Sequence, residues 1–264
     1  MSFFTVRDLT AGYGKSPVIR DLSFELESGC LMGILGANGS GKTTLLKAIC
    51  GILPHKGRCT LEGTLLEACS PRQLARLCSY IPQRSGIGID LSVLDVVLMG
   101  FNPRLGMLER PDRAMRAAAL QAIAQVGLAG KEQANYLHLS EGQKQLCILA
   151  RTLVTESRLL LLDEPESALD FRYRYKMLDE LRSWIASAQG GAIITLHDPV
   201  LALNHCDKLL LLVGGQLLGV MSPRTDSLET LEGLLRAVYG PISVQPCKTR
   251  SGRTRLLLLK EEEP

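Results

Sequence analysis

The stretch Gly36-Ala37-Asn38-Gly39-Ser40-Gly41-Lys42-Thr43 constrains this chain more than any other. A short apolar run, Leu31 to Leu35, leads into it, and Leu45, Leu46, Ile49 and Ile52 follow at helical spacing. Gly-x4-Gly-Lys-Thr between a strand and a helix is the pattern of a loop that cradles phosphate. Its glycines let the backbone curl so that successive N–H groups point inward, and the helix N-terminus behind adds a favourable dipole. Lys42 supplies charge for the β- and γ-phosphates, and the Thr43 hydroxyl can ligate a divalent ion. The pattern implies a nucleoside triphosphate ligand and an α/β fold.

Strand and helix signals elsewhere agree. Apolar and polar positions alternate over residues 3–27 around Gly12-Tyr13-Gly14, predicting two or three antiparallel strands. Pro54 and Gly57 are expected to stop the helix after the loop, with strands at 58–61 and 78–81. Residues 84–138 carry helical patterns only: Ser92 caps an apolar helix over 93–99, and 113–126 is Ala-rich. Helices at about 141–154 and 171–188 then alternate with strands at 159–162, 192–196, 208–213 and 217–220, which predicts a sheet with a parallel centre. A helix over 227–239 and a hairpin pairing 242–245 with 254–259 close the chain.

The 264 residues carry a net charge of only +3, which argues against a nucleic-acid partner. Aliphatic runs such as Leu159–Leu162 fall far short of the roughly 20 residues of a membrane span. No secretory signal is visible in MSFFTVRDLT, so a soluble, cytosolic chain is expected. Eight cysteines without a CxxC pair read as reduced, mostly packed thiols rather than a disulfide framework or a zinc site.

A second group of chemical residues is Leu159-Leu160-Leu161-Leu162-Asp163-Glu164. Four aliphatics make a strand buried on both faces, and two acids emerge at its C-terminal edge, where ligands of open α/β sheets bind. Asp163 is placed to hold Mg²⁺. Glu164, pointing the opposite way by strand alternation, is placed to polarise water. Between the two groups lies Leu139-Ser140-Glu141-Gly142-Gln143, a capping box in which Ser140 and Gln143 satisfy each other's backbone, at a helix end that also suits an anion.

Together these residues resemble the ATP-binding subunit of an ABC transporter over residues 3–221. The loop resembles the Walker A motif, 159–164 the Walker B strand and 139–143 the signature LSGGQ. Gln83 in Tyr80-Ile81-Pro82-Gln83 matches the Q-loop, Ser167-Ala168-Leu169-Asp170 the D-loop, and His197 the switch histidine. The resemblance implies a P-loop NTPase cassette: a mixed-sheet core, an N-terminal antiparallel β subdomain and an all-helical insertion at 84–138. It places the ATPase domain at 1–221 and a C-terminal helix and hairpin at 222–264. Tyr13 then stacks on adenine, and Gly36, Asn38, Gly39, Ser40, Gly41, Lys42, Thr43 and Thr44 hold the phosphates. Thr43, Gln83 and Asp163 hold Mg²⁺, while Glu164, His197, Lys42 and Gln83 serve hydrolysis. Ser140, Gly142, Gln143 and Asp170 also bind the nucleotide, Ser140 completing ATP held by a second copy of the chain.

Residues 92–100 with Pro103 and Leu105-Gly106, and the closing Val238-Tyr239-Gly240, are similar to iron–siderophore, haem and vitamin B12 importers. That implies a homodimer at the cytoplasmic face of the membrane, held there by permease subunits, with a periplasmic or lipoprotein binding protein delivering ligand. A soluble ABC-type ATPase, an exporter ATPase and a non-hydrolysing nucleotide-gated module are the alternatives. Glu141 departs from the signature glycine, placing a carboxylate near the expected γ-phosphate. His55, His138 and His205 lie outside every motif and read as structural. Lys248, Arg250, Arg253 and Arg255 read as a solvated hairpin face.

Overall fold

The structure is a computed structural model that describes residues 2–14, 16–83, 86–106 and 108–262. The chain forms two compact units, Met1–Glu67 with Ile193–Pro264, and Ala68–Ala192.

The first unit opens with β1 (Phe4–Tyr13), β2 (Ser16–Leu26), β3 (Leu31–Leu35), α1 (Lys42–Ile49), β4 (His55–Leu61) and β5 (Thr64–Leu65). An antiparallel sheet in the order β2-β1-β4-β5 buries Phe4 and Val6 at period 2, and a register shift at Asp8 (φ +52°) breaks that period, so that Leu9 and Ala11 are the next buried residues. Every residue of β3 is buried, the mark of a strand covered on both faces. Gly57 does not end an element as expected. It sits inside β4 with φ +96°, opposite a register shift in β1 between Arg7 and Thr10. A glycine within a strand marks a bulge as readily as a stop. Helix α1 ends at Ile49, before either Pro54 or Gly57 can act.

The second unit holds α2 (Pro71–Leu77), β6 (Cys78–Ile81), α3 (Val93–Leu98), α4 (Arg113–Gln125), α5 (Glu141–Leu153), β7 (Leu159–Asp163), α6 (Phe171–Ala188) and the start of β8 (Gly191–Thr195). Here β6 and β7 pair in parallel, Cys78 beside Leu159. The helices α3, α4 and α5 pack on one another, and among the described residues 86–138 contain no named strand, only an isolated bridge between Ser92 and Asn135. Gly100 permits the closest approach: a Cβ there would lie 2.2 Å from the Arg151 carbonyl oxygen.

The chain then completes the first unit with α7 (Pro199–His205), β9 (Lys208–Val213), β10 (Gln216–Met221), α8 (Leu228–Tyr239), β11 (Ile242–Lys248) and β12 (Thr254–Lys260). There β9 runs parallel to β3 and antiparallel to β10, so the core sheet is mixed. Asn204 on α7 fastens the closing hairpin. Its amide Nδ2 donates to the Leu256 carbonyl (2.8 Å), and its Oδ1 accepts from the Leu256 N–H (2.9 Å). Arg255 donates to the Asn204 carbonyl (2.9 Å) and is half-buried, so it leaves the solvated face expected for the hairpin cations.

Candidate functional site

In the first unit, β3 delivers the chain into the glycine loop and α1 leaves it. Gly41 takes φ +103° at the N-cap of α1, and a Cβ there would sit 2.5 Å from Ile19 Cγ2. At Gly36 a Cβ would meet the Leu212 carbonyl oxygen at 2.3 Å and the Ser40 hydroxyl at 2.6 Å. The two ends of the loop therefore require glycine for different reasons, a left-handed backbone and a close approach to β9. Lys42 is 5% exposed, and its ammonium donates to the carbonyls of Gly36 (2.8 Å) and Ala37 (3.2 Å), folding the loop around itself. The Ser40 Oγ is buried and has no hydrogen-bond partner among the described residues. The buried hydroxyls of Ser157 and Ser243 share this state, but of the three only Ser40 lies in the glycine loop, where it can donate to an anionic ligand. Asn38 and Gly39 are exposed at the loop's tip, Thr43 is half-buried, and Thr44 is buried.

Two more predicted site residues lie in this unit. Tyr13 stands at the end of β1, 56% exposed, as a stacking surface must be. His197 is exposed just past the C-terminal end of β8. Asp198 beside it caps α7, accepting from the N–H groups of Val200 (2.9 Å) and Leu201 (3.1 Å), and Pro199 occupies the first turn. This helix, unpredicted from sequence, fixes where the His197 turn begins. Asp198 followed by Pro199 is a helix-start signal that could have found it.

In the second unit, β7 is buried throughout, and Asp163 is 3% exposed at its end. Its Oδ2 accepts from the Tyr80 hydroxyl (3.0 Å) on the neighbouring strand β6. Tyr80 is a contributor that motif spacing does not single out. Strand register could have found it, since Tyr80 lies opposite Leu161, two residues before the aspartate. Glu164 lies beyond β7 at φ +48°, a left-handed backbone that non-glycine residues adopt at a cost of about 1–3 kcal/mol. Its side chain is therefore aimed by a kink, not by the strand alternation expected from sequence. The Gln83 amide reaches it, Nε2 donating to Glu164 Oε2 at 2.5 Å, so two predicted site residues are joined directly. That donation leaves the amide Oε1 as the acceptor end of Gln83.

Ser140 caps α5 through a reciprocal box: its Oγ accepts from the Gln143 N–H (3.3 Å), and its own N–H donates to Gln143 Oε1 (3.3 Å). Glu141, the departure from the signature pattern, pairs with Lys144 one turn on (2.8 Å). The pair cancels the extra charge at the helix end. A Cβ on Gly142 would lie 3.0 Å from the Ala168 carbonyl oxygen, so the signature helix and the 167–170 turn approach closely. Asp170 in that turn caps α6, accepting from the Tyr173 N–H (3.0 Å).

With a Gly-x4-Gly-Lys-Thr loop between strand and helix, and the LSEGQ box in the same chain, the geometry is that of an ATP-binding cassette. The family model for ABC transporters matches residues 19–167, more than half of the chain, and the chain belongs to that family. It is an ATPase of the cassette type. Among curated relatives it is 37% identical over 243 residues to the hemin import ATP-binding protein HmuV of Bordetella pertussis, covering 89% of this chain and 90% of that one. HmuV of Pseudomonas fluorescens is 38% identical over 231 residues, covering 84% and 89%. Among solved structures, a protein assigned as a metal-chelate type ABC transporter, in an inward-facing conformation, aligns with TM-score 0.82 and 26% identity over 99% of both chains. Among the described residues no helix is long and apolar enough to cross a membrane.

Proposed function

We propose that this chain powers the import of haem or a related metal chelate, hydrolysing ATP as a homodimer that closes against permease subunits at the cytoplasmic face of the membrane. The observation that carries the reading is the self-closed loop of Gly36 and Lys42 with the orphaned Ser40 hydroxyl inside it. The full-length similarity to hemin import ATP-binding proteins supplies the cargo class.

The ATPase work is assigned to residues 1–221, with 222–264 as an extension. Phosphate oxygens replace the Gly36 and Ala37 carbonyls as partners of Lys42, and the N–H groups of residues 38–44 and the Ser40 hydroxyl supply further donors. Mg²⁺ is assigned to the Thr43 hydroxyl, the Asp163 carboxylate and the Gln83 Oε1, which are oxygens alone and suit that ion in kind. When bound, that ion would neutralise charge between the β- and γ-phosphates. Glu164 orients the attacking water and accepts its proton, and His197 and Lys42 stabilise the charge that builds on the transferring phosphoryl group. Tyr13 stacks on the adenine. Gly142, Gln143 and Asp170 also bind nucleotide, and Ser140 meets the nucleotide of the second copy, where pairing with Lys144 keeps Glu141 from repelling it. The helical insertion at 84–138 carries the permease contact, with Gln83 reporting the γ-phosphate to it, and a binding protein outside the membrane delivers the ligand.

The test is reconstitution with the cognate permease in lipid vesicles, following ATP hydrolysis and haem uptake together. Glu164→Gln is expected to bind MgATP, accumulate as a closed dimer and lose turnover by about 100-fold or more. Near-normal turnover in that variant removes Glu164 from its role. Haem uptake that ignores ATP overturns the import reading.

A further inference from the structure

We propose that His55, Cys59 and Glu67 form a binding site for a transition-metal ion, of which Zn²⁺ is the best match. The site is independent of the nucleotide reading. The His55 Nε2, the Cys59 Sγ and a Glu67 carboxylate oxygen all lie within 4.8 Å of one another.

Sequence spacing hides this grouping. Four residues of regular strand separate two side chains by about 13 Å, so His55 and Cys59 on one strand should not meet. The kink at Gly57 contracts that distance. Gly57 takes φ +96°, and a Cβ there would strike the carbonyl oxygens of Arg7 and Asp8 at 2.5 Å, so the bend depends on glycine at the register shift of β1 against β4. The third group is held in advance. Glu67 Oε1 accepts the Cys59 N–H at 2.7 Å and lies 2.8 Å from His55 Nε2. The sulfur is fully buried, and the His55 and Glu67 side chains are 8% and 26% exposed.

The donor set selects the ion. One imidazole nitrogen, one thiolate and one carboxylate suit zinc, which takes four ligands and would keep a water in the last position. Magnesium and calcium prefer oxygen alone and fit poorly. One thiolate and one carboxylate cancel a divalent charge, so the loaded site is neutral and tolerates burial. Binding releases the thiol proton to solvent, and His55 must carry its proton on Nδ1 so that Nε2 can coordinate. Access is provided by a cleft of about 340 Å³ that His55 lines with Pro54, Lys56, Thr10, Ala11 and Gly12. A bound ion would clip β4 to the turn that carries Glu67.

The test uses the full chain, stripped with chelator and free of nucleotide, so its outcome does not depend on the ATPase reading. Titration with Zn²⁺ is expected to show one site, and Co²⁺ in its place to give a thiolate-to-metal charge-transfer band. His55→Gln and Glu67→Gln should each weaken Zn²⁺ binding by about tenfold or more, since even outer-shell changes at metal sites have effects of that size. Cys59→Ser should abolish the cobalt band; should that buried substitution prevent folding, the other two variants decide. Absence of stoichiometric binding, a cobalt spectrum without sulfur character, or undiminished Zn²⁺ affinity in both His55→Gln and Glu67→Gln would each overturn the site.

Discussion

Ser140 is asked to cap a helix and to meet a nucleotide, and two substitutions separate these tasks. Both hydrogen bonds of its box measure 3.3 Å, at the long end of the useful range, and seven residues of α5 are buried, so packing carries most of the helix. Losing the cap in Ser140→Ala should therefore cost about 0.5–1 kcal/mol. In a chain of this size 1 kcal/mol moves the melting temperature by about 2–4 °C, so the alanine variant should melt about 1–4 °C lower. Aspartate is as good a cap as serine, and its charge gains about 0.3–1 kcal/mol from the helix dipole. Ser140→Asp should thus melt at or above the wild-type temperature. Toward a triphosphate the same charge is repulsive. The stability order is then aspartate, serine, alanine, while the order for ATP-dependent dimerisation is serine, alanine, aspartate. Thermal melting by circular dichroism reads the first, and sedimentation with MgATP in a Glu164→Gln background reads the second. An aspartate variant that still dimerises with ATP as the serine form does would reduce Ser140 to a structural cap.

The loop makes its own discrimination. Gly36→Ala must displace the β9 backbone and should abolish ATP binding in a fluorescent-nucleotide titration, whereas Gly130→Ala, outside the loop, has open space at φ +81° and should lose only about 1–2 kcal/mol of stability, seen as a lower urea midpoint. Equal nucleotide affinities in the two variants would refute this. Among the thiols, burial pushes Cys50 up to about 11 and Cys147 up to about 12. A raised value keeps the thiol protonated, so at pH 8 less than about one in a thousand of either is thiolate, and iodoacetamide should label the exposed Cys247 first. Peptide mapping that finds Cys147 labelled as fast as Cys247 contradicts the assignment.

Much of the architecture is legible in local chemistry. Helix α6 runs over the residues its periodicity marks, because Asp170 caps it and Gln189 ends it in a left-handed backbone. The β3–loop–α1 unit is legible because glycine, lysine and threonine have separate physical duties there. Short elements escape. Helix α2 begins with Ser70, Pro71 and a reciprocal Gln73, and α7 with Asp198 and Pro199, yet seven residues hold too little periodicity to register. The aim of Glu164 is illegible, because alternation applies only while the strand lasts and β7 ends one residue earlier. The bulge that gathers His55, Cys59 and Glu67 is equally hidden, since Gly57 reads as a stop until its partner strand is known. Arg255 reads as solvated charge because nothing local foretells the Asn204 clasp.

The kink at Glu164 sets durability against turnover at a single position. Glycine is the replacement that best relaxes a left-handed backbone, and it is also the one that removes the carboxylate. A laboratory screen rewarding only heat resistance would be drawn toward that exchange, and its hardiest survivors would be the ones that had stopped working.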